Sequence, residues 1–329
     1  MKSPFADCDA IKHSEQRTVV YRNEQYEYTF VCYKCPKTGE IFTTNELDAV
    51  NMIQVKNQYR CRHNIPYINE IRKMRKSYGL SAAKMSFILG WGENQFRLYE
   101  NGEMPSVNNG LQLRAIQNVD VFCNYVNLSN ISLQEKKTIV ERAKNSLLAQ
   151  EQTGKARYDI ERIFGTDINA KYEGYTNKSL QKLKNVMLYF INNSNRLFQT
   201  SMNKLLFYTD FLLYRECGHG LTGLSYIAQN FGPVPLNWTN VFSAFEEIST
   251  EIINCGNGNE GYILTSDMPY DINEFSAQEV EMLNQVRDKF IQLSPTKISE
   301  ISHKEKAWTD NIRTHGLIDY SYAFQMTTI

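Results

Sequence analysis

Between residues 17 and 33, "RTVVYRNEQYEYTFVCY", apolar and aromatic side chains alternate with polar ones at a period of two, the pattern of strands half-buried against a core. With "PKTGE" at 36–40 as a turn, residues 1–64 read as a small β unit of two or three short strands. From Pro66 the period changes. Ile68, Ile71 and Met74 form one helical stripe, and Ser106 is placed to cap a helix that opens after Pro105. Helices dominate to about residue 150. Residues 151–178 mix Gly, Thr, Asn and charge with weak periodicity and are expected to be a linker. Beyond them the pattern predicts helix, helix, strand, helix, hairpin, helix, helix. Leu183, Val186, Met187 and Phe190 make one stripe, and Val280, Leu283, Val286 and Phe290 make another behind a Ser276-x-x-Glu279 capping box. "EIINCGNGNEGYILTS" reads as a hairpin closed by Asn and Gly. The expected fold class is mainly α with small β elements (α+β), in four zones: 1–64, 65–150, 151–178 and 179–329.

Composition adds limits. The 329 residues are 42% hydrophobic and 12% aromatic, enough to fill ordinary globular cores. Thirty-six basic and 36 acidic residues give a net charge of +0, so any affinity for nucleic acid must come from a local patch. No apolar run approaches the roughly 18 residues of a membrane helix, and "MKSPFADCDA" lacks an apolar signal core. A cytoplasmic protein with no membrane partner is expected. Seven cysteines, odd in number and unevenly spread, suit a reducing compartment better than a disulfide framework.

The local patch lies around "LSAAKMSFILGWGENQFRLYENG", residues 80–102. Leu80, Met85, Leu89, Trp91, Phe96 and Tyr99 fall where two short helices would share one small core, with Gly90 and Gly92 at the bend. That is helix-turn-helix spacing. In such a motif the second helix enters the major groove, which here presents Glu93, Asn94, Gln95 and Arg97 to base edges. Lys73, Lys76 and Lys84, beside Arg72 and Arg75, are the phosphate candidates, and Ser81 and Asn101 complete the DNA-binding set. A helical bundle with an incidental polar face is the competing reading. It leaves the agreement of glycine bend, core spacing and basic face unexplained.

Glu70-Ile71-Arg72, Tyr78-Gly79-Leu80-Ser81, Leu89-Gly90-Trp91-Gly92 and Leu98-Tyr99-Glu100-Asn101-Gly102 resemble the Xre-like helix-turn-helix of MqsA-type antitoxins. The arginine that precedes the tyrosine in that family is Leu98 here, with Arg97 one place earlier. The resemblance implies a DNA-binding homodimer that represses its own operon through operator DNA. It also implies an amino-terminal β domain holding zinc on two Cys-x-x-Cys pairs. In this chain Cys32 and Cys35 form the single such pair, with Cys8, Cys61 and His63 scattered. Four thiolates from Cys8, Cys32, Cys35 and Cys61 would close a structural zinc site, whereas buried thiols in a metal-free unit explain them equally. The metal-free state is favoured, and no cofactor is expected.

"SMNKLLFYTDFLLYRECGHGLTGLSYIAQNFGPVPLNWTNVF" resembles the Panacea domain, the SocA-like antitoxin module, through Asn203 to Asp210, Thr222 to Tyr226 and Phe231 to Pro235. "SHKEKAWTDN" and "IDYSYA" fit its closing segments, so the likeness covers roughly residues 180 to 325. It implies a cognate toxin as partner. Tyr208, Tyr226, Asn230, Phe231 and Trp238 are the candidate toxin-binding residues, since aromatics are enriched at binding hot spots. "GHGLTG" follows a helix and lacks the Gly-Lys-Ser/Thr ending, which argues against a phosphate loop. Cys217, His219 and Asp210 invite a catalytic reading, but no motif fixes their geometry and none of the common catalytic signatures occurs. A non-enzyme is expected. The function reading is a type II antitoxin that neutralises a toxin through its carboxy-terminal domain and represses its operon through the helix-turn-helix. The alternatives are a stand-alone transcriptional regulator with a ligand- or protein-sensing carboxy-terminal domain, and an adaptor acting during phage infection.

Overall fold

The computed structural model describes residues 1–256 and 260–329. It divides into two units, Met1–Val55 with Arg162–Ile329, and Lys56–Glu161. Each is α+β or α in character, and the α+β class expected from the sequence holds for the chain as a whole.

The larger unit begins with an antiparallel sheet, β1 (Ile11–Tyr21), β2 (Glu24–Lys34) and β3 (Ile41–Phe42). Arg22 and Asn23, both at positive φ, make the two-residue reversal whose twist matches paired strands. The expected "PKTGE" turn is present: Cys35 N–H donates to the Glu40 carbonyl and Gly39 N–H to the Cys35 carbonyl, both at 2.8 Å. Helix α1 (Asn45–Arg62) lies inside the span read as purely β. Its apolar stripe is interrupted by Asn51 and Gln54, and those amides explain its role. Asn51 accepts from Val31 N–H at 2.8 Å and donates to the Val31 carbonyl at 2.9 Å; Gln54 bonds Thr29 N–H and carbonyl at 3.2 and 2.9 Å. Two side chains thus satisfy the edge of β2 that the two-residue β3 is too short to cover.

The smaller unit is helical: α2 (Ile68–Tyr78), α3 (Ala82–Ile88), α4 (Gln95–Glu100), α5 (Val107–Ala115), α6 (Val119–Leu128), α7 (Leu133–Lys144) and α8 (Leu147–Glu151). Ser81, Ser106, Asn118, Ser132 and Ser146 each accept a backbone N–H at a helix start, so the sequence's Ser/Asn punctuation sets these boundaries. Residues 151–178, read as linker, contain a further helix, α9 (Gly154–Phe164), whose Ile163 and Phe164 are buried. The unit boundary falls within α9, as the other falls within α1.

The larger unit resumes with α10 (Leu180–Asn192), β4 (Leu197–Phe198), α11 (Gln199–Cys217), β5 (Tyr226–Gln229), β6 (Gly232–Pro235), α12 (Trp238–Phe242), β7 (Ser249–Asn254), β8 (Glu260–Thr265), α13 (Ala277–Phe290), α14 (Pro295–Ser302) and α15 (Lys306–Thr309). Strands β4, β8 and β7 form one antiparallel sheet and β5 with β6 a hairpin. The hairpin read at 251–266 is therefore present as β7 and β8, while residues 257–259 of its connection lie outside the described residues. Helix α11 is the centre: every residue from Ser201 to Tyr214 is buried, because helices and strands cover it on all sides. The amino-terminal strands are part of this unit too. Ile53 of α1 meets Gly218, where a Cβ would come within 2.1 Å, so the span read as a separate β unit helps build the larger core.

Candidate functional site

In the smaller unit the six apolar residues read around the Gly-Trp-Gly all join one core, with Ile71, Met74, Tyr78, Leu113, Ile116 and Phe122. Gly79 ends α2 at φ 63°, and Gly90 follows α3 at φ 71°, a conformation that suits glycine. Trp91 is held in place: its Nε1 donates to Gln112 at 2.9 Å, and its ring stands edge-on to Tyr99. Buried Ser86 accepts from Phe96 N–H at 3.0 Å, fastening the start of α4 to α3.

That core leaves Glu93, Asn94, Arg97 and Asn101 exposed and Gln95 half-buried, so the predicted base-reading side chains share the outer face around α4. Leu98 and Phe87 are exposed beside them. The predicted phosphate contacts divide. Lys76 is exposed, whereas Lys73 pairs with Glu151 at 2.7 Å and Lys84 with Glu135 at 2.6 Å. Arg75 pairs with Glu100 at 2.7 Å, Arg72 donates to the Glu100 carbonyl, and the Ser81 hydroxyl caps α3. The basic run is thus partly neutralised by acids as far as 78 residues along the chain, which spacing in the sequence does not reveal.

In the larger unit α11 buries an acidic and a basic side chain, Asp210 and Lys204. Asp210 accepts from Leu221 N–H at 2.6 Å, Thr222 N–H at 2.7 Å, the Thr222 hydroxyl, and the Tyr226 hydroxyl at 2.6 Å. Burial raises its pKa against the opposing effect of those hydrogen bonds. Its carboxyl therefore folds the 218–224 turn back onto the helix. Tyr320 seals this network by donating to the Leu224 carbonyl at 2.7 Å. His219 Nδ1 lies 2.9 Å from its neighbour's carbonyl, Gly220 O, and burial pushes the Cys217 thiol up to about 11. Asp210, His219 and Cys217 are not a nucleophile with its base and orienter.

Lys204, six residues earlier on α11, is fully buried, its Nζ has no hydrogen-bond partner among the described residues, and burial lowers its pKa to about 7. It lies under Gly232 with Ser302: a Cβ at Gly232, where φ is 103°, would come within 2.3 Å of Ser302 Oγ and 2.8 Å of Lys204 Cε. Ser299 Oγ and His303 Nε2, on and just after α14, are also buried without hydrogen-bond partners among the described residues. His303 stacks on Trp308 at 4.0 Å between ring centres, and Trp308 Nε1 donates to the Gln229 carbonyl at 2.8 Å.

Residues 202–309 match the family described as antitoxin SocA-like, Panacea domain. The match covers about a third of the chain and lies inside the segment whose motifs carry the resemblance. No curated protein and no solved structure matches the chain. Within the SocA-like region those motifs meet: Asp210, Thr222 and Tyr226 form the carboxylate network, while Gly232 lies against Lys204 and Ser302.

The five toxin-binding candidates separate by burial. Tyr208 and Tyr226 have no exposed surface; Tyr208 stacks on Phe290 at 4.4 Å, and Tyr226 serves Asp210. Contrary to the expectation of toxin contacts, both pack the core: Tyr208 lies on α11, which is enclosed on every side, and Tyr226 lies on β5 with its hydroxyl on the buried Asp210 carboxyl. Asn230 is exposed, Phe231 is 72% exposed, and Trp238 at the start of α12 is 39% exposed. Asn230 and Phe231 are the reversal between β5 and β6, whose flanks are otherwise largely buried.

The cysteines separate as well. Cys8 and Cys35 adjoin, with sulfurs 3.6 Å apart; Cys32 is buried within β2, and Cys61 is exposed near the end of α1 in the smaller unit. Among the described residues no three His, Cys, Asp or Glu side chains are grouped as a metal would require. Among them, too, no helix is long and apolar enough to cross a membrane.

Proposed function

We propose that this chain is an antitoxin whose SocA-like region binds and neutralises a toxin protein directly. The reading rests on the family match, and one observation supports a choice of surface. Phe231 carries a large apolar side chain into solvent at the tip of a hairpin fixed by Trp308, Lys204 and Ser302 beneath it. A rigid scaffold that displays an aromatic residue on a short turn suits a protein partner. Asn230 beside it supplies an amide, and Trp238 a second aromatic surface. Co-expression with the product of an adjacent reading frame, followed by affinity purification and a growth assay, tests the reading. Rescue of growth and stable co-purification, both weakened by Phe231→Ala in a folded chain, are expected.

The second part of the proposal is that the Lys56–Glu161 unit binds operator DNA as a homodimer and represses its own operon. The exposed row Glu93, Asn94, Arg97 and Asn101 over a helix-turn-helix core supports it. A chain that shifts its own promoter DNA but captures no neighbouring protein would favour the stand-alone regulator instead.

A further inference from the structure

The amino-terminal segment closes over the end of β2. Ser3 N–H donates to the Cys8 carbonyl and Ala10 N–H to the Met1 carbonyl, both at 2.9 Å, making a small loop of residues 1–10. That loop is moored to the β2–β3 turn: Lys37 Nζ donates to the Asp7 carbonyl at 2.8 Å, and Phe5 stands edge-on to Phe42 at 5.9 Å. Between the two moorings Cys8 Sγ lies 3.6 Å from Cys35 Sγ, and both thiols are free. Such a separation is a thiol–thiol contact. A disulfide needs the sulfurs about 1.5 Å closer, which side-chain rotation in an irregular loop supplies.

We propose that Cys8 and Cys35 are a reversible thiol–disulfide couple, oxidised by peroxide or by a small disulfide such as oxidised glutathione. The two sulfurs are unlike in surroundings. Hydrogen bonds from the Ser3 and Thr38 hydroxyls and from the Thr38 and Lys37 backbone lower the Cys35 thiol to about 6, so it stands as a thiolate at neutral pH. Cys8 is raised by burial and by its bond to Cys35, and is the partly exposed member. Cys35 has no exposed surface. Cys8 is therefore the sulfur that a solvent-borne oxidant reaches, and Cys35 the thiolate that resolves it.

With hydrogen peroxide, Cys8 passes its proton along the S–H···S contact, and its sulfur attacks one peroxide oxygen. The O–O bond breaks, giving a sulfenic acid and hydroxide. Cys35 sulfur then attacks Cys8 sulfur, the S–S bond forms, and a second hydroxide leaves. The first hydroxide takes from Cys35 the proton that Cys8 passed to it, freeing the Cys35 thiolate to attack, and the second takes one from solvent, so a thiol, a thiolate, a proton and one peroxide become one disulfide and two waters. With oxidised glutathione the same two displacements release two glutathione thiols. The product staples residues 1–10 to the β2–β3 turn of the unit that contains the SocA-like region.

The full chain treated with a small excess of peroxide, then with iodoacetamide under denaturing conditions, tests this by mass spectrometry. Expected are a 2 Da loss (roughly, one disulfide), two fewer alkylations, a Cys8–Cys35 cross-linked peptide, reversal by dithiothreitol, and a melting midpoint raised by about 5 °C. Cys8→Ser and Cys35→Ser should each abolish all of these while melting like the untreated chain. A bond between another pair, oxidation of Cys8 to the sulfinic acid without cross-linking, or zinc bound to these thiols and protecting them would overturn the proposal. It stands independently of toxin or DNA binding.

Discussion

Tyr226 donates its hydroxyl to Asp210 across 2.6 Å and sixteen residues of chain, joining a strand of the β5–β6 hairpin to the central helix. Both are wholly buried, and the same carboxyl holds two backbone N–H groups of the intervening turn. Tyr226→Phe removes one of its bonds and should cost about 2 kcal/mol. Asp210→Ala strands two buried N–H groups and two hydroxyls and should cost about 4 kcal/mol. Urea unfolding followed by circular dichroism checks the order; equal costs would mean that the carboxyl does not organise the turn.

Lys204 makes stability rise with pH. Its folded pKa is about 7 and its unfolded value about 10.4, so the native state binds fewer protons between those limits and gains stability as pH rises through them. The slope approaches about 1.4 kcal/mol per pH unit. Cys217, raised to about 11, acts in the opposite sense at higher pH but is common to wild type and variant. Lys204→Met should therefore be more stable than wild type at pH 7, with the difference shrinking toward pH 9. A pH-independent difference would show that the ammonium keeps its charge in the folded chain.

For DNA, Arg97→Ala should relax specificity at one base position, whereas Lys76→Ala should weaken binding to operator and random DNA alike and flatten the salt slope by about one unit. Lys73→Ala and Lys84→Ala remove ion pairs with Glu151 and Glu135 and should change binding less than Lys76→Ala. Gel shifts across a salt series separate the classes.

Phe231→Ala and Gly232→Ala distinguish a displayed residue from its support. Phe231→Ala should leave the melting curve unchanged and weaken toxin binding by about 2 kcal/mol. Gly232→Ala forces a methyl against Ser302 and Lys204 at φ 103° and should lower the melting midpoint before any effect on binding is read. Calorimetry on both variants, with the toxin in the cell, measures the contrast.

A fragment spanning Lys56–Glu161 contains the whole helical core and should fold cooperatively alone. A fragment starting near Asn177 lacks Ile53 and the strands that complete the larger unit, and should melt lower than the intact chain. Melting midpoints of both fragments and of the full chain provide the comparison.

Local pattern determined the parts of this protein that depend on near neighbours. Apolar spacing gave the stripes of α10 and α13 and the core around Trp91, and Ser276, Ser106 and the "PKTGE" turn were legible because caps and turns are chemistry of four or five consecutive residues. Helix α1 is not legible in the pattern because Asn51 and Gln54 occupy core-facing positions that read as polar until β2 lies beside them. Tertiary structure alone decided which members of the motifs reach solvent. Tyr226 and Phe231 are both aromatic and five residues apart, yet one ends under a buried carboxylate and the other at the tip of the reversal. Likewise the partners of Lys73 and Lys84, and the meeting of Cys8 with Cys35, depend on residues far apart in the chain being packed together, and short-range periodicity carries no information about that distance.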